Sequence, residues 1–329
     1  MAAPAQLDRS TVSALQLKAY RHHAQAIDEL RMSLTHMSEG DPREKLNITL
    51  RTFWIALSEL HVSRDPSWRP HFYVLTNVIN ELGGIKHLWD ARMLTTQDVS
   101  VYTITLIVSN TTSPARQEVA SAAHLAMLSW YIDQYETWEY APFPCPGPLF
   151  ALIVRINYLR TRRRDGSLLS GEARPILEDI ASFSPDEWTI ATKKDHRSTW
   201  LMIAKVYRSA VLLYALGALD IVTPGTSRLV NQDKGSDRVA RFLTELMLVI
   251  SNASHSTLVH YGLVWPTLIA GVYATSIEER DIIQTELAAI SRACGMVSPL
   301  VAKKVLEDFW SSGEHGWEAC FKAPFSFLA

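Results

Sequence analysis

Apolar residues recur at helical spacing through most of this 329-residue chain, while its 14 glycines and 15 prolines gather between those stretches. That pattern points to an all-α fold. Leu46, Leu50, Phe53, Trp54 and Leu57 share one side of a helix that starts at Pro42, with Asp41 as its cap, and runs to about Val62. Asp65-Pro66 repeats the cap-then-proline device and opens a helix carrying Phe72, Leu75, Ile79 and Leu82, stopped by Gly83-Gly84. Further helices are expected over Thr11–Met37, Pro114–Trp138, Leu149–Arg164, Arg174–Ser182, Asp186–Leu219, Ser236–Ser251, Ser256–Thr275, Ile277–Cys294 and Ser298–Trp310. The β-branched run from Val99 to Val108 would suit a short strand, but no second run is available to pair with it. Four prolines in Ala141–Pro148 force an extended loop. The chain therefore reads as one α-helical domain, 1–329, a multi-helix bundle with no separate DNA-binding domain.

Charge and cysteine content exclude several function classes. Lys plus Arg number 32 against 34 Asp plus Glu, so no long-range pull toward phosphate backbones is expected and no direct nucleic-acid contact is read. Cys145, Cys294 and Cys320 are too few and too scattered for a zinc cluster or a disulfide framework, and they read as ordinary thiols in a reducing compartment. The N-terminus lacks signal-peptide and transit-peptide patterns, and apolar runs such as Ala210–Ala218 fall short of a membrane span. The expectation is a cytoplasmic protein without membrane contact, or a nuclear one if it is a regulator. Nucleotide-binding loops, a nucleophile elbow and a zinc-protease helix are all missing from the sequence, so no metal and no cofactor is assigned. Asp133 and Glu136, three apart, are a weak ligand pair for a hard cation. The basic run Arg155, Arg160, Arg162, Arg163 and Arg164 reads as a solvated helix end complementing the dipole.

The candidate site lies on two helices. Trp200, Ala204, Tyr207, Val211 and Tyr214 form one stripe, whose tyrosine hydroxyls must find partners whether the stripe is core or pocket wall. Lys205 flanks it. Pro266 sits inside a helical pattern, where its ring should kink the helix and deprive the Gly262 carbonyl of its usual donor. That carbonyl then needs a donor from solvent, a side chain or a ligand, in the company of His260, Tyr261 and Trp265. The two helices are expected to line one cavity, with His260, Tyr207, Tyr261 and Lys205 as donors or acid–base groups. Trp200, Tyr214, Trp265 and Tyr273 are the expected ligand-binding walls.

Val264-Trp265-Pro266-Thr267-Leu268-Ile269-Ala270-Gly271, then Glu279-Arg280-Asp281, then Leu306-Glu307-Asp308-Phe309-Trp310 occur in that order. Together with Asp65–Gly84, Leu152–Leu159 and Trp200–Tyr214, they resemble the regulatory α-helical domain of fungal zinc binuclear-cluster transcription factors. The resemblance implies an all-α bundle that senses small molecules or contacts other proteins. Those factors also carry six clustered cysteines and a basic segment, which have no counterpart in this sequence. Two functions follow as expectations. One is a cofactor-free cyclisation or rearrangement enzyme of fungal natural-product biosynthesis, a cyclase or isomerase using the aromatic cavity on a hydrophobic substrate. The alternative is a regulator without its own DNA-binding module, acting through a partner factor or a hydrophobic effector. Either is compatible with a homodimer.

Overall fold

The structure is a computed structural model that describes residues 41–62, 68–135, 143–168, 171–193, 195–220 and 257–327, with isolated positions at 25, 28, 32, 241 and 245. The described residues form fourteen α-helices and one 3-10 turn, with no strand among them. The all-α reading holds. The expected helices Thr11–Met37 and Ser236–Ser251 fall almost wholly outside the described residues.

Residue contacts group the chain into two compact units, 1–99 and 100–329. In the first, α1 (Pro42–Val62) packs on α2 (Trp68–Glu81). Phe53 meets the edge of Phe72 at 5.4 Å, with Leu46 and Leu75 fully buried around them. Gly83 and Gly84 both adopt positive φ, which lets Gly84 N–H donate back to the Ile79 carbonyl and end α2. A six-residue helix, α3 (Ile85–Asp90), follows. The start of α4 (Thr96–Thr111) is held by a reciprocal cap: Asp98 accepts from the Thr95 N–H and hydroxyl, and Thr95 Oγ1 accepts from Asp98 N–H.

The second unit continues with the rest of α4, and the β-branched run at its centre is helix. Ile104, Leu106, Ile107 and Val108 are 0–2% exposed, and Thr103, Thr105, Ser109 and Asn110 are buried beside them, so this half of the helix is covered on every side. Where one helix was expected over Pro114–Trp138, the chain forms a 3-10 turn at Ala115–Gln117, then α5 (Ser121–Ala126) and α6 (Leu128–Tyr135). Ala120 at φ 56° precedes α5 and Met127 leaves helical geometry after it. Then come α7 (Gly147–Arg164), α8 (Arg174–Ser182), α9 (Pro185–Thr192) and α10 (Arg197–Ala218). The span expected as a single helix over 186–219 is broken at His196, whose φ is 53°. The unit ends with α11 (Thr257–Gly271), α12 (Ile277–Cys294), α13 (Ser298–Ser312) and α14 (Trp317–Cys320). Ser276 and Glu279 form a capping box at the start of α12 and Gly295 closes it in the left-handed conformation.

α10 packs against α7, α9 and α11, and α11 against α12, so α10 and α11 are the inner helices. By length and composition α10 could cross a membrane. Its apolar character has another destination, since Val206, Tyr207, Ala210, Val211 and Tyr214 are completely buried against other helices.

Candidate functional site

At the sequence-expected site, the structure brings Tyr207, Tyr214 and Trp265 into one aromatic cluster. Tyr207 stacks on Trp265 with centroids 6.1 Å apart and planes 14° from parallel, and Tyr214 meets the same indole edge-on at 6.2 Å. Every polar atom of the three has an acceptor within the chain. Tyr207 donates to the Gly262 carbonyl at 2.5 Å, the group deprived of its helical donor by Pro266. Tyr214 donates to Asn157 Oδ1, and Trp265 Nε1 to Thr111 Oγ1 at 2.7 Å. Burial pushes both phenols well above the usual range, so they remain neutral donors.

The remaining expected residues take other surroundings. Tyr273 donates to the Leu213 carbonyl at 2.7 Å. Trp200 pairs with Trp188 at 6.2 Å, and the Lys193 ammonium lies 4.2 Å above its ring. Lys205 is half-buried on α10. His260 is half-buried on α11 with no hydrogen-bond partner at Nδ1, and Tyr261 follows it on the same helix. Glu136, the second half of the weak carboxylate pair, lies outside the described residues. Among the described residues no three His, Cys, Asp or Glu side chains gather as a metal site.

A different site, absent from the sequence reading, is built on Arg160. Expected on a solvated helix end, this arginine is 2% exposed. Helical spacing explains it: Leu149, Ile153, Ile156, Asn157 and Arg160 follow one face of α7, all of them buried. The guanidinium reaches the C-terminal end of α4, donating to the carbonyls of Asn110 at 3.0 Å and Ser113 at 2.7 Å. The Asn110 carbonyl also takes the Ser113 N–H at 3.4 Å, and Ser113 lies just past the end of α4. Its Nε and Nη2 hold Glu318 Oε1, while Nη1 lies 3.1 Å from Glu118 Oε1. Glu118 Oε2 accepts from Ser121 and Thr161. Burial outweighs the nearby arginine and pushes the Glu118 carboxyl up to about 7. From the far end of the unit, Trp317 Nε1 donates to the Thr111 carbonyl, and Thr112 exchanges hydrogen bonds with the Phe325 backbone.

Outward from Arg160 opens a cleft of about 690 Å³. Pro114, Ala115, Ala218 and Phe321 lie beneath it, Phe321 and Ala218 themselves buried, and Arg116, Arg163, Arg164 and Lys322 join Arg160 in giving it positive charge. Glu318 is the single carboxylate on its lining.

A family model described as the fungal specific transcription factor domain matches residues 3–322. The chain belongs to this family. The fungal transcription factor domain is thus shown over nearly its whole length, as the ordered motifs implied. A relative from Leptosphaeria maculans, named a phomenoic acid biosynthesis cluster-specific transcriptional regulator, is 29% identical over 283 residues, which is 83% of this domain chain and 53% of the relative. The chain spans about half the length of that curated relative. No solved structure matches it. These findings overturn the expected cyclase or isomerase: family and relative are those of transcriptional regulators, and nothing among them is an enzyme. The physical source of the error is that an aromatic stripe with polar tips has the same spacing whether it lines a reaction cavity or, as in this domain, packs with its hydroxyls bonded internally.

Proposed function

We propose that this chain is the regulatory part of a transcriptional regulator that controls genes of a natural-product pathway and works in the nucleus. The observation that carries the reading is the family match over residues 3–322. The relative's role as regulator of one biosynthetic cluster supports the pathway-level scope. In this reading the helical domain receives a signal, either a small-molecule effector or a partner factor, and passes it to the transcription machinery. A scaffold whose core is pinned by buried hydrogen bonds suits that task, since a signal received at one surface is transmitted through packed elements that do not deform continuously.

The test is deletion of the gene in its host, followed by transcript profiling and by chromatin occupancy of an epitope-tagged, full-length copy. Coordinated loss of transcripts from one group of biosynthetic genes, with the tagged protein at their promoters, is the expected result. Unchanged transcripts, or a tagged protein excluded from nuclei, overturn it.

A further inference from the structure

We infer that Ser167 is a phosphorylation site, written by a protein kinase that selects serines lying a few residues after arginine. Arg162, Arg163 and Arg164 stand five, four and three places before Ser167, and Leu168 follows it. A kinase with an acidic peptide groove reads such a charge pattern, because each guanidinium meets a carboxylate there. Among the described residues the only other serine or threonine with an arginine three places before it is Thr95, which has Asp90 at the fifth place. The surroundings of the two hydroxyls differ. Thr95 Oγ1 is tied to Asp98 twice, donating to its carboxylate and accepting from its N–H. Ser167 lies in the exposed turn beyond α7, just after Gly166 at φ 69°. Its hydroxyl donates to the Arg162 carbonyl at 3.1 Å, an acceptor that also holds the Ser167 N–H and so stays partnered if the hydroxyl leaves. A kinase takes its substrate extended, so the last turn of α7 must open, as helix ends do most readily. The buried clamp on Arg160 holds the turn before it and limits the opening. The pairs of Arg162 with Glu172, Arg163 with Asp220 and Arg164 with Asp165 lie at or near the surface, where ion pairs are weak enough to trade for carboxylates of the kinase. In the transfer, Ser167 Oγ attacks the γ-phosphorus of ATP, the bond from that phosphorus to the bridging oxygen breaks and ADP leaves, and the hydroxyl proton passes to the catalytic carboxylate of the kinase. The product has a receiver in place. Arg162 Nη2 already reaches the Ser167 carbonyl at 2.6 Å, so its guanidinium can turn from Glu172 to the phosphate beside it.

This site does not depend on the regulatory reading, and its test has a separate readout. The purified full chain is incubated with magnesium, ATP and a recombinant kinase that reads arginines at the third and fifth places before serine, in parallel with a kinase that reads acidic residues after it. Modified positions are mapped by mass spectrometry. Ser167 should be the most heavily labelled position, about tenfold or more above Thr95, and only with the arginine-reading kinase. The double variant Arg162→Ala/Arg164→Ala should label Ser167 about tenfold or more slowly. A turn loosened by those substitutions would speed labelling, so a fall reports lost recognition and not lost folding. Tagged protein recovered from the host should carry phosphate on Ser167, and the Ser167→Ala variant should lack that phosphopeptide. Labelling of Thr95 in preference to Ser167, equal labelling by the acid-reading kinase, an unchanged rate in the double variant, or an unlabelled full chain would each overturn the inference. Loss of cluster transcripts on deletion together with an unmodified Ser167 sinks this inference alone. A modified Ser167 with transcripts unchanged on deletion sinks the regulatory reading alone.

Discussion

Tyr207 Oη stands 2.5 Å from the carbonyl oxygen of Gly262, the one acceptor on α11 that Pro266 strips of its helical donor. A defect in one helix is thereby mended by a side chain of another, 55 residues away. Replacing Tyr207 with Phe keeps the ring stacked on Trp265 but leaves the carbonyl buried and unpaired. The cost should be about 1–3 kcal/mol of unfolding free energy, read as a lower denaturation midpoint with an unchanged slope. A loss below about 0.5 kcal/mol would mean that the carbonyl has another donor.

Arg160 should be the most costly charge to remove among the described residues. In Arg160→Met the buried Glu118 carboxyl loses its counter-ion, the Ser113 carbonyl loses the Arg160 donor and the Asn110 carbonyl keeps only the Ser113 N–H, a change of about 3–5 kcal/mol. Glu318→Gln should cost only about 1 kcal/mol, because the Glu318 side chain is 54% exposed and water replaces much of what it gives. Adding Glu118→Gln to Arg160→Met should recover part of the loss, a coupling measured by the double-mutant cycle. Equal effects of Arg160→Met and Glu318→Gln would contradict this ordering.

Two buried groups give opposite pH dependences of stability. Burial lowers His124 to about 4 in the folded chain, so between pH 4 and 6.5 the unfolded chain holds more protons and stability rises with pH. Burial raises Glu118 to about 7, so between pH 4.5 and 7 the folded chain holds more protons and stability falls as pH rises. Their slopes oppose each other between about 4.5 and 6.5. Glu118→Gln should therefore expose a stability that climbs with pH through that window, and His124→Gln one that declines. Denaturant titrations at pH 5, 6 and 7 read the slopes, and identical slopes in the two variants would refute the pairing.

Gly262 is a glycine for reasons of space. A Cβ there would collide with the ring of Pro144, so Gly262→Ala should destabilise by about 1–3 kcal/mol despite alanine's better helix propensity. At Gly217 the added methyl strikes the Tyr273 hydroxyl and approaches Trp317 at 2.9 Å. Since the hydroxyl is part of that collision, Tyr273→Phe combined with Gly217→Ala should be more stable than Gly217→Ala alone. Thermal unfolding of the three chains decides the point.

The sequence carried the periodic helices and the chemical need at Gly262, because a proline inside an apolar helix announces a missing donor by itself. It did not carry the identity of that donor, since a contact across 55 residues has no local signature. Nothing at Ala120 or Met127 resembles a glycine or proline break, which is why α5 and α6 read as one helix. Arg160 was misplaced because four neighbouring arginines suggested a wet helix end. The face it shares with Ile153 and Asn157 was the signal that outweighed them. Function was misjudged at the same kind of place: neutral donors beside indole rings are what a catalytic cavity would show and also what a well-bonded core shows. Only the packing tells them apart.

The clamp on Arg160 draws its partners from very different moments of synthesis. Asn110, Ser113 and Glu118 precede it on the growing chain, but Glu318 follows it by 158 residues. At ribosomal speeds of about 5–20 residues per second, that delay is roughly 8–30 s. Throughout that interval a nascent chain has an arginine destined for burial with one carboxylate in place and the second still unmade. The cleft wall formed by Phe321 and Lys322 is missing for the same period. The helices up to α10 are therefore made before this face of the second unit has all of its residues.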